Sequence, residues 1–327
     1  MSEAPSYPVY IPKTFGQILD RVFRLMRANF KLFVGMAALP PAGFYALFAL
    51  ISVAILWPVL QALPKTPSPD EVIHLLVVGV PLMVVLTVAY LLVFAVYLGA
   101  ASFAGVQADC GAKITIRQSY AVARSHAGRY ALLLFLIYVF CFFPALIIQL
   151  AMFAGIGLTT LHKAQPNPAM VVLFPLLSVL QMAALIVGLI IGLRFALAFP
   201  ASVSENLTAW QAIKRSGVLC RGAKGRILLV LLVIYAATYL AMLVLMGGAA
   251  MMGALGFLVF SGMHLQPSTP TIWGLGILGG VGFLAVMVLF MAASWAGYVT
   301  AFAVIYNDQR LRIDGASANA PGLGTSA

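Results

Sequence analysis

The 327-residue sequence predicts an all-α membrane protein: six transmembrane helices arranged as three repeats, each a basic interfacial helix followed by a transmembrane hairpin. Three observations carry this reading. The first is composition. Hydrophobic residues make up 63% of the chain and charged residues 8%, with a mean hydropathy of +1.05; soluble domains have roughly 45–50% apolar and about 25% charged residues. Such a chain cannot cover itself with polar groups in water, whereas a helical bundle in a bilayer turns its outer face to hydrocarbon. The second is six long apolar stretches, and the third is a short polar motif that recurs before each pair of them.

The first repeat, residues 14–109, opens on Thr14-Phe15-Gly16-Gln17. Thr-x-x-Gln is a capping box, in which the two side chains satisfy each other's free backbone N–H groups at a helix start. Behind it Ile18, Leu19, Val22, Phe23, Leu25 and Met26 alternate with Arg21, Arg24, Arg27 and Lys31. Helices of this kind lie in the membrane interface with their basic side toward headgroups. Two apolar stretches follow, Leu32 to Leu63 and Val72 to Val106, each longer than the ~20 residues that cross about 30 Å of hydrocarbon. Pro40 and Pro41 are expected to kink the first span or mark its start, and Pro58 and Pro81 raise the same expectation further on. The loop between the spans, Gln61 to Glu71, carries Pro64, Pro67 and Pro69.

The second repeat, residues 115–205, opens on Thr115-Ile116-Arg117-Gln118, and its basic helix is poorer in apolar residues, with Tyr120 and Val122 against Arg124 and Arg129. Its spans are Tyr130 to Leu161 and Ala169 to Ala201, joined by a loop with Pro166 and Pro168. The third, residues 208–308, opens on Thr208-Ala209-Trp210-Gln211, with Ile213, Val218 and Leu219 against Lys214, Arg215, Arg221, Lys224 and Arg226. Its spans are Ile227 to Phe260 and Ile272 to Tyr306. The boxes are 101 and 93 residues apart, and recurrence at a fixed place in each unit is the signature of an internal repeat. Residues 14–314 thus read as one polytopic membrane domain. A polar segment, 1–13, without the layout of a cleavable signal peptide precedes it, and a small-residue tail, 315–327, expected to be disordered, follows.

Each repeat contributes an even number of spans, so the three basic helices and both termini fall on one side. That side carries 16 of the 19 basic residues, Lys65 and Lys163 lie on the other, and Arg194 lies within a span. Basic residues in short loops stay cytoplasmic, so both termini are expected in the cytoplasm, in a membrane of the bacterial inner-membrane type. The candidate contacts for anionic phospholipid are Arg21, Arg24, Arg27, Lys31, Arg124, Arg129, Lys214, Arg215 and Arg221, each expected to contribute roughly 1 kcal/mol near a negative surface. The net charge of +11 is spread over membrane-hugging helices, so nucleic acid is not expected as a partner.

Arg194 is the one charge well inside an apolar stretch, nine residues before Val203. An intramembrane ionisable residue is a functional candidate; it is read first as a snorkelling anchor or ion pair with Asp109, Glu205 or Asp308, second as an anionic lipid or substrate contact, third as solvated in a cavity. Those three acids each follow the second span of a repeat and are read as partners of the basic helices. Gln149 and Gln181 are expected to bond between helices. Gly188-x-x-x-Gly192, Gly276-x-x-x-Gly280 and the glycines of the last two spans are expected to pack helices closely. Asn206-Leu207-Thr208 matches a glycosylation pattern on the cytoplasmic side, where it has no meaning. Cys110, Cys141 and Cys220 lack metal or disulfide spacing, and His74, His126, His162 and His264 are scattered, Glu71 and His74 being the nearest approach to a ligand pair. No catalytic residue, metal site or cofactor is expected.

The run Arg194-Phe195-Ala196-Leu197-Ala198-Phe199-Pro200, with Ser204-Glu205-Asn206-Leu207-Thr208 and Ala212-Ile213-Lys214-Arg215-Ser216, resembles the glycerophosphoryl diester phosphodiesterase membrane domain family. So do the opening Thr14-Phe15-Gly16-Gln17-Ile18-Leu19-Asp20-Arg21 and the ending Tyr306-Asn307-Asp308-Gln309-Arg310-Leu311-Arg312. The resemblance implies a fold and no activity, because catalysis in such relatives belongs to a separate soluble barrel. The function expected is therefore a non-catalytic, lipid-interacting scaffold or accessory subunit for a protein partner. The alternative is a transporter or lipid translocator with a cavity near Arg194; an intramembrane enzyme, which needs acid–base groups meeting at one depth, comes third.

Overall fold

A computed structural model describes residues 13–62, 69–161, 168–262 and 269–315. The N-terminal segment, the hairpin loops with Lys65 and Lys163, the side chains of Glu71 and His74, and the tail beyond 315 lie outside what it describes. Among the described residues every regular element is a helix: α1 Phe15–Ala28, α2 Phe30–Ala62, α3 Pro69–Asp109, α4 Ile116–Ser125, α5 Ala127–Leu161, α6 Pro168–Phe195, α7 Ala198–Ser204, α8 Ala209–Leu219, α9 Lys224–Gly262 and α10 Thr269–Asp314. Among the described residues six helical stretches are long and apolar enough to cross a membrane. The chain is a multi-pass helical membrane protein. Side chains along α5, α6 and α9 are widely exposed, among them Phe135, Leu150, Val179, Ile186, Leu232 and Leu240; such a surface belongs in hydrocarbon.

Contacts group the chain into two compact units. One comprises Lys13–Ser125 and Leu229–Val304. Its core is set by small residues: a Cβ on Gly105 of α3 would stand 2.7 Å from the Ala303 Cβ of α10 and 3.7 Å from the Val299 carbonyl, so only glycine allows that approach. A run of rings, Phe44, Tyr90, Phe94 and Trp295, continues the packing at centroid separations of 4.7, 5.7 and 4.8 Å. Pro40 and Pro41 do not begin α2; both are buried inside it, and the helix runs through them. Pro40 has no N–H, so the Met36 carbonyl, four residues earlier, loses its helical donor. The Tyr120 hydroxyl of α4 donates to that carbonyl instead, at 2.9 Å. Burial pushes the Tyr120 phenol up to about 12, which keeps it a donor at any ordinary pH.

The other unit holds α5 to α8, the start of α9 and the end of α10. Here α5 and α6 form the tightest hairpin: a Cβ on Gly188 would lie 2.1 Å from the Cys141 carbonyl, and one on Gly192 would lie 3.7 Å from the Cys141 sulfur. The expected small-xxx-small contact is thus present at Gly188 and Gly192. It is not present at Gly247, Gly248, Gly253, Gly279, Gly280 and Gly282, where an added Cβ meets nothing within 4 Å, while Gly276 lies among residues whose side chains are not described. The fourth span, continuous by hydropathy, is interrupted between Phe195 and Ala198. The Ser216 hydroxyl of α8 causes this. It accepts from the Leu197 N–H at 3.1 Å and donates to the Arg194 carbonyl at 2.8 Å, replacing two bonds of the i→i−4 ladder.

Candidate functional site

The three basic helices start alike. The Thr14 N–H donates to Gln17 Oε1 at 2.9 Å, the Thr115 N–H to Gln118 Oε1 at 3.0 Å, and the Thr208 N–H to Gln211 Oε1 at 3.1 Å. Return bonds from the Gln17 and Gln118 N–H groups to the threonine hydroxyls measure 3.5 and 3.3 Å. Four and eight residues after each threonine the side chain is buried: Ile18 and Val22, Ser119 and Ala123, Ala212 and Ser216. The second helix looked weak in apolar content because its buried face is made of small residues, which pack closely rather than broadly. These faces are covered by protein.

The basic side chains divide into two sets. In the first, the charge is spent inside the protein. Arg21 donates through Nε to Asp109 Oδ1 and through NH2 to the Asp109 carbonyl, both at 2.7 Å, and the Asp109 side chain is fully buried. Arg215 donates through Nε to both Glu205 oxygens, at 3.1 and 2.9 Å, and through NH2 to Asp314; the Tyr306 hydroxyl also donates to Glu205, at 2.8 Å. Burial lowers the Arg215 guanidinium, but the bonds to Asp314 and Glu205 outweigh it and hold it above its ordinary value. Arg226 and Arg312 share Asp308 Oδ2, each at 2.9 Å. Arg129 donates to Asn206 Oδ1 at 2.7 Å, fixing a residue whose φ of 49° is left-handed, a region asparagine tolerates better than most.

Three sequence expectations are corrected by this set. Arg21, Arg129 and Arg215 are half-buried and hold protein groups rather than standing free for lipid. Asp109, Glu205 and Asp308 pair with Arg21, Arg215, and Arg226 with Arg312; Arg194 pairs with none of them. Lys31 and Arg129 belong to the first turns of α2 and α5, and Arg221 to the turn after α8. Sequence reading missed Asp314, the second partner of Arg215; its only signal was an acid one turn beyond Arg310, which it approaches at 3.9 Å.

The second set is exposed. Arg24 forms a 2.9 Å pair with Asp20, both side chains largely in the open, where such a pair is worth at most about 1 kcal/mol. Arg27, Lys31, Arg124, Lys214 and Arg221 are exposed and form no salt bridge among the described residues. Arg194 joins them. The break after Phe195 puts it in the last turn of α6, where the carbonyl end of the helix favours a cation, within the apolar stretch Val172–Ser204 that continues through the break. Its guanidinium is exposed and makes no ion pair among the described residues.

Among the described residues no three His, Cys, Asp or Glu side chains group as a metal site. The half-buried Gln181 leaves its buried Oε1 without a donor among the described residues, so the interhelical bond expected of it is not formed through that atom. Compared with protein-family models, curated proteins and solved structures, the chain finds no match.

Proposed function

We propose that this protein is a non-catalytic, lipid-interacting scaffold or accessory subunit for a protein partner, in a bacterial inner membrane with both termini cytoplasmic. One observation carries the proposal. Every acid at the end of a repeat is matched by buried or half-buried arginine, yet exposed cations remain on each basic helix or in the turn that follows it. Cations in that number without acidic partners are supplied with counter-charge by an anionic lipid surface. The shared box and the shared buried positions four and eight residues on support a threefold repeat, and the repeat sets all these cations on the side that the positive-inside rule assigns to the cytoplasm. The resemblance to the glycerophosphoryl diester phosphodiesterase membrane domain agrees with a place beside lipid.

Native mass spectrometry of the full chain, released from mild detergent with equal phosphatidylglycerol and phosphatidylcholine, tests the lipid claim. The expected result is preferential retention of phosphatidylglycerol; equal retention overturns it. A co-purification that identifies stoichiometric protein partners tests the scaffold claim.

A second reading, a lipid translocator, has one specific support: the helix break beside Arg194, since broken helices line transporter sites. Against it, the guanidinium stands on an exposed surface. Proteoliposomes that scramble a headgroup-labelled lipid, with loss of scrambling in Arg194→Ala, would replace the scaffold with this reading.

A further inference from the structure

One stripe of α8 gathers what the protein's other bonds leave over. Trp210, Lys214 and Gly217 follow one another at steps of four and three residues, which is a single helix face, and Arg221 lies in the turn after α8. Trp210 is half exposed, and the Lys214 ammonium lies 5.6 Å from its ring centroid. Gly217 has no side chain, and Arg194 of α6 occupies the space: a Cβ there would stand 3.0 Å from Arg194 Nε and 3.6 Å from NH2. Arg194 and Lys214 thus share one exposed face of α8, and neither has a carboxylate partner among the described residues. Two like charges on one face repel unless an anion joins them.

The surroundings say what kind of anion. Trp210 contacts Phe140 at 6.4 Å, and Phe140 contacts Phe195 at 6.0 Å, an aromatic cluster of the type that sits at headgroup level. Four and eight residues before Arg194 on α6 stand Ile190 and Ile186, half exposed on the same helix face. Along α6 the surface therefore runs from the Arg194 cation, with aromatic rings beside it, to the aliphatic side chains of Ile190 and Ile186. That is the polarity of a phospholipid. Free inorganic phosphate would use only the first part.

We propose that Arg194 and Lys214 hold the phosphate of one anionic glycerophospholipid, with Trp210, Phe140 and Phe195 beside its ester region and Ile190 and Ile186 against an acyl chain. This rests on the lipid-interacting reading above and adds to it a defined site. Gly217 is the device that makes it a site, because the Arg194 guanidinium occupies the space a side chain there would fill.

The test is a titration of the full-length protein in mild detergent with dioleoyl phosphatidylglycerol, followed by native mass spectrometry, with phosphatidylcholine as reference and thermal unfolding as a check on folding. Wild-type protein should take up one phosphatidylglycerol tightly. The R194Q/K214Q double variant should bind it roughly 10- to 30-fold more weakly. Gly217→Ala keeps every charge and favours the helix, yet displaces the guanidinium, so it too should weaken binding; general attraction to an anionic surface would leave it unchanged. If wild type prefers phosphatidylglycerol but R194Q/K214Q and Gly217→Ala bind it equally well, this site is overturned while the lipid-interacting reading stands. If wild type shows no preference, both fall. Displacement of the lipid by millimolar inorganic phosphate would overturn the assignment to a lipid.

Discussion

Tyr120 supplies to α2 the hydrogen bond that Pro40 cannot. Without the phenol, the Met36 carbonyl would be a buried acceptor with no donor, and an unmade buried bond costs about 1–3 kcal/mol. Tyr120→Phe, which keeps the ring, is therefore expected to lower stability by about that amount, read as earlier thermal unfolding in detergent; an unchanged midpoint would mean water or another group serves Met36. The carboxylates follow the same logic. Asp109 is fully buried and anchored by two bonds from Arg21, and breaking such a pair leaves an uncompensated charge, a loss of roughly 3–5 kcal/mol. The sequence shows that Asp109, Glu205 and Asp308 have cations to choose from. It does not show which, because Arg21 and Asp109 are 88 residues apart and the choice depends on which helices meet. Arg194 is the sharpest case: hydropathy places it inside a span, and a serine 22 residues later places it at a helix end.

At the scale of elements, every span is legible because burial in hydrocarbon needs a long apolar run, and that is a property of composition along the chain. The starts of the basic helices are legible for a related reason, since a capping box is closed by residues three positions apart. What hydropathy cannot register is an interruption made by a neighbour. The break between α6 and α7 contains no charge and no proline, only Ala196 and Leu197, and it exists because α8 delivers a hydroxyl there. Glycine likewise reads the same whether or not anything approaches it. Gly188 faces a backbone carbonyl, which cannot move aside as a side-chain tip can. Gly188→Ala should therefore push α5 and α6 apart and destabilise the protein by about 1–3 kcal/mol, whereas Gly248→Ala, in open space, should be neutral or slightly stabilising. Parallel thermal unfolding of the two variants checks this, and equal midpoints would contradict it.

For the whole molecule, the claim that matters most is orientation. Cys110, at the end of α3, is exposed, whereas Cys141 and Cys220 are buried, so the natural chain carries its own reporter. A membrane-impermeant maleimide is expected to label Cys110 in inside-out vesicles and not in right-side-out ones; the opposite result would invert the topology and move the basic surface out of the cytoplasm. Composition and the run of apolar spans were determined by the sequence alone, because each is a sum over residues or a short-range pattern that the bilayer reads directly. The tertiary structure decided which cations are consumed and which remain. That division depends on contacts between residues far apart in the chain, such as Arg215 with Asp314 and Ser216 with Arg194, and those contacts separate the arginines that clamp acids inside the protein from the cations left exposed on α1, α2, α4 and α8.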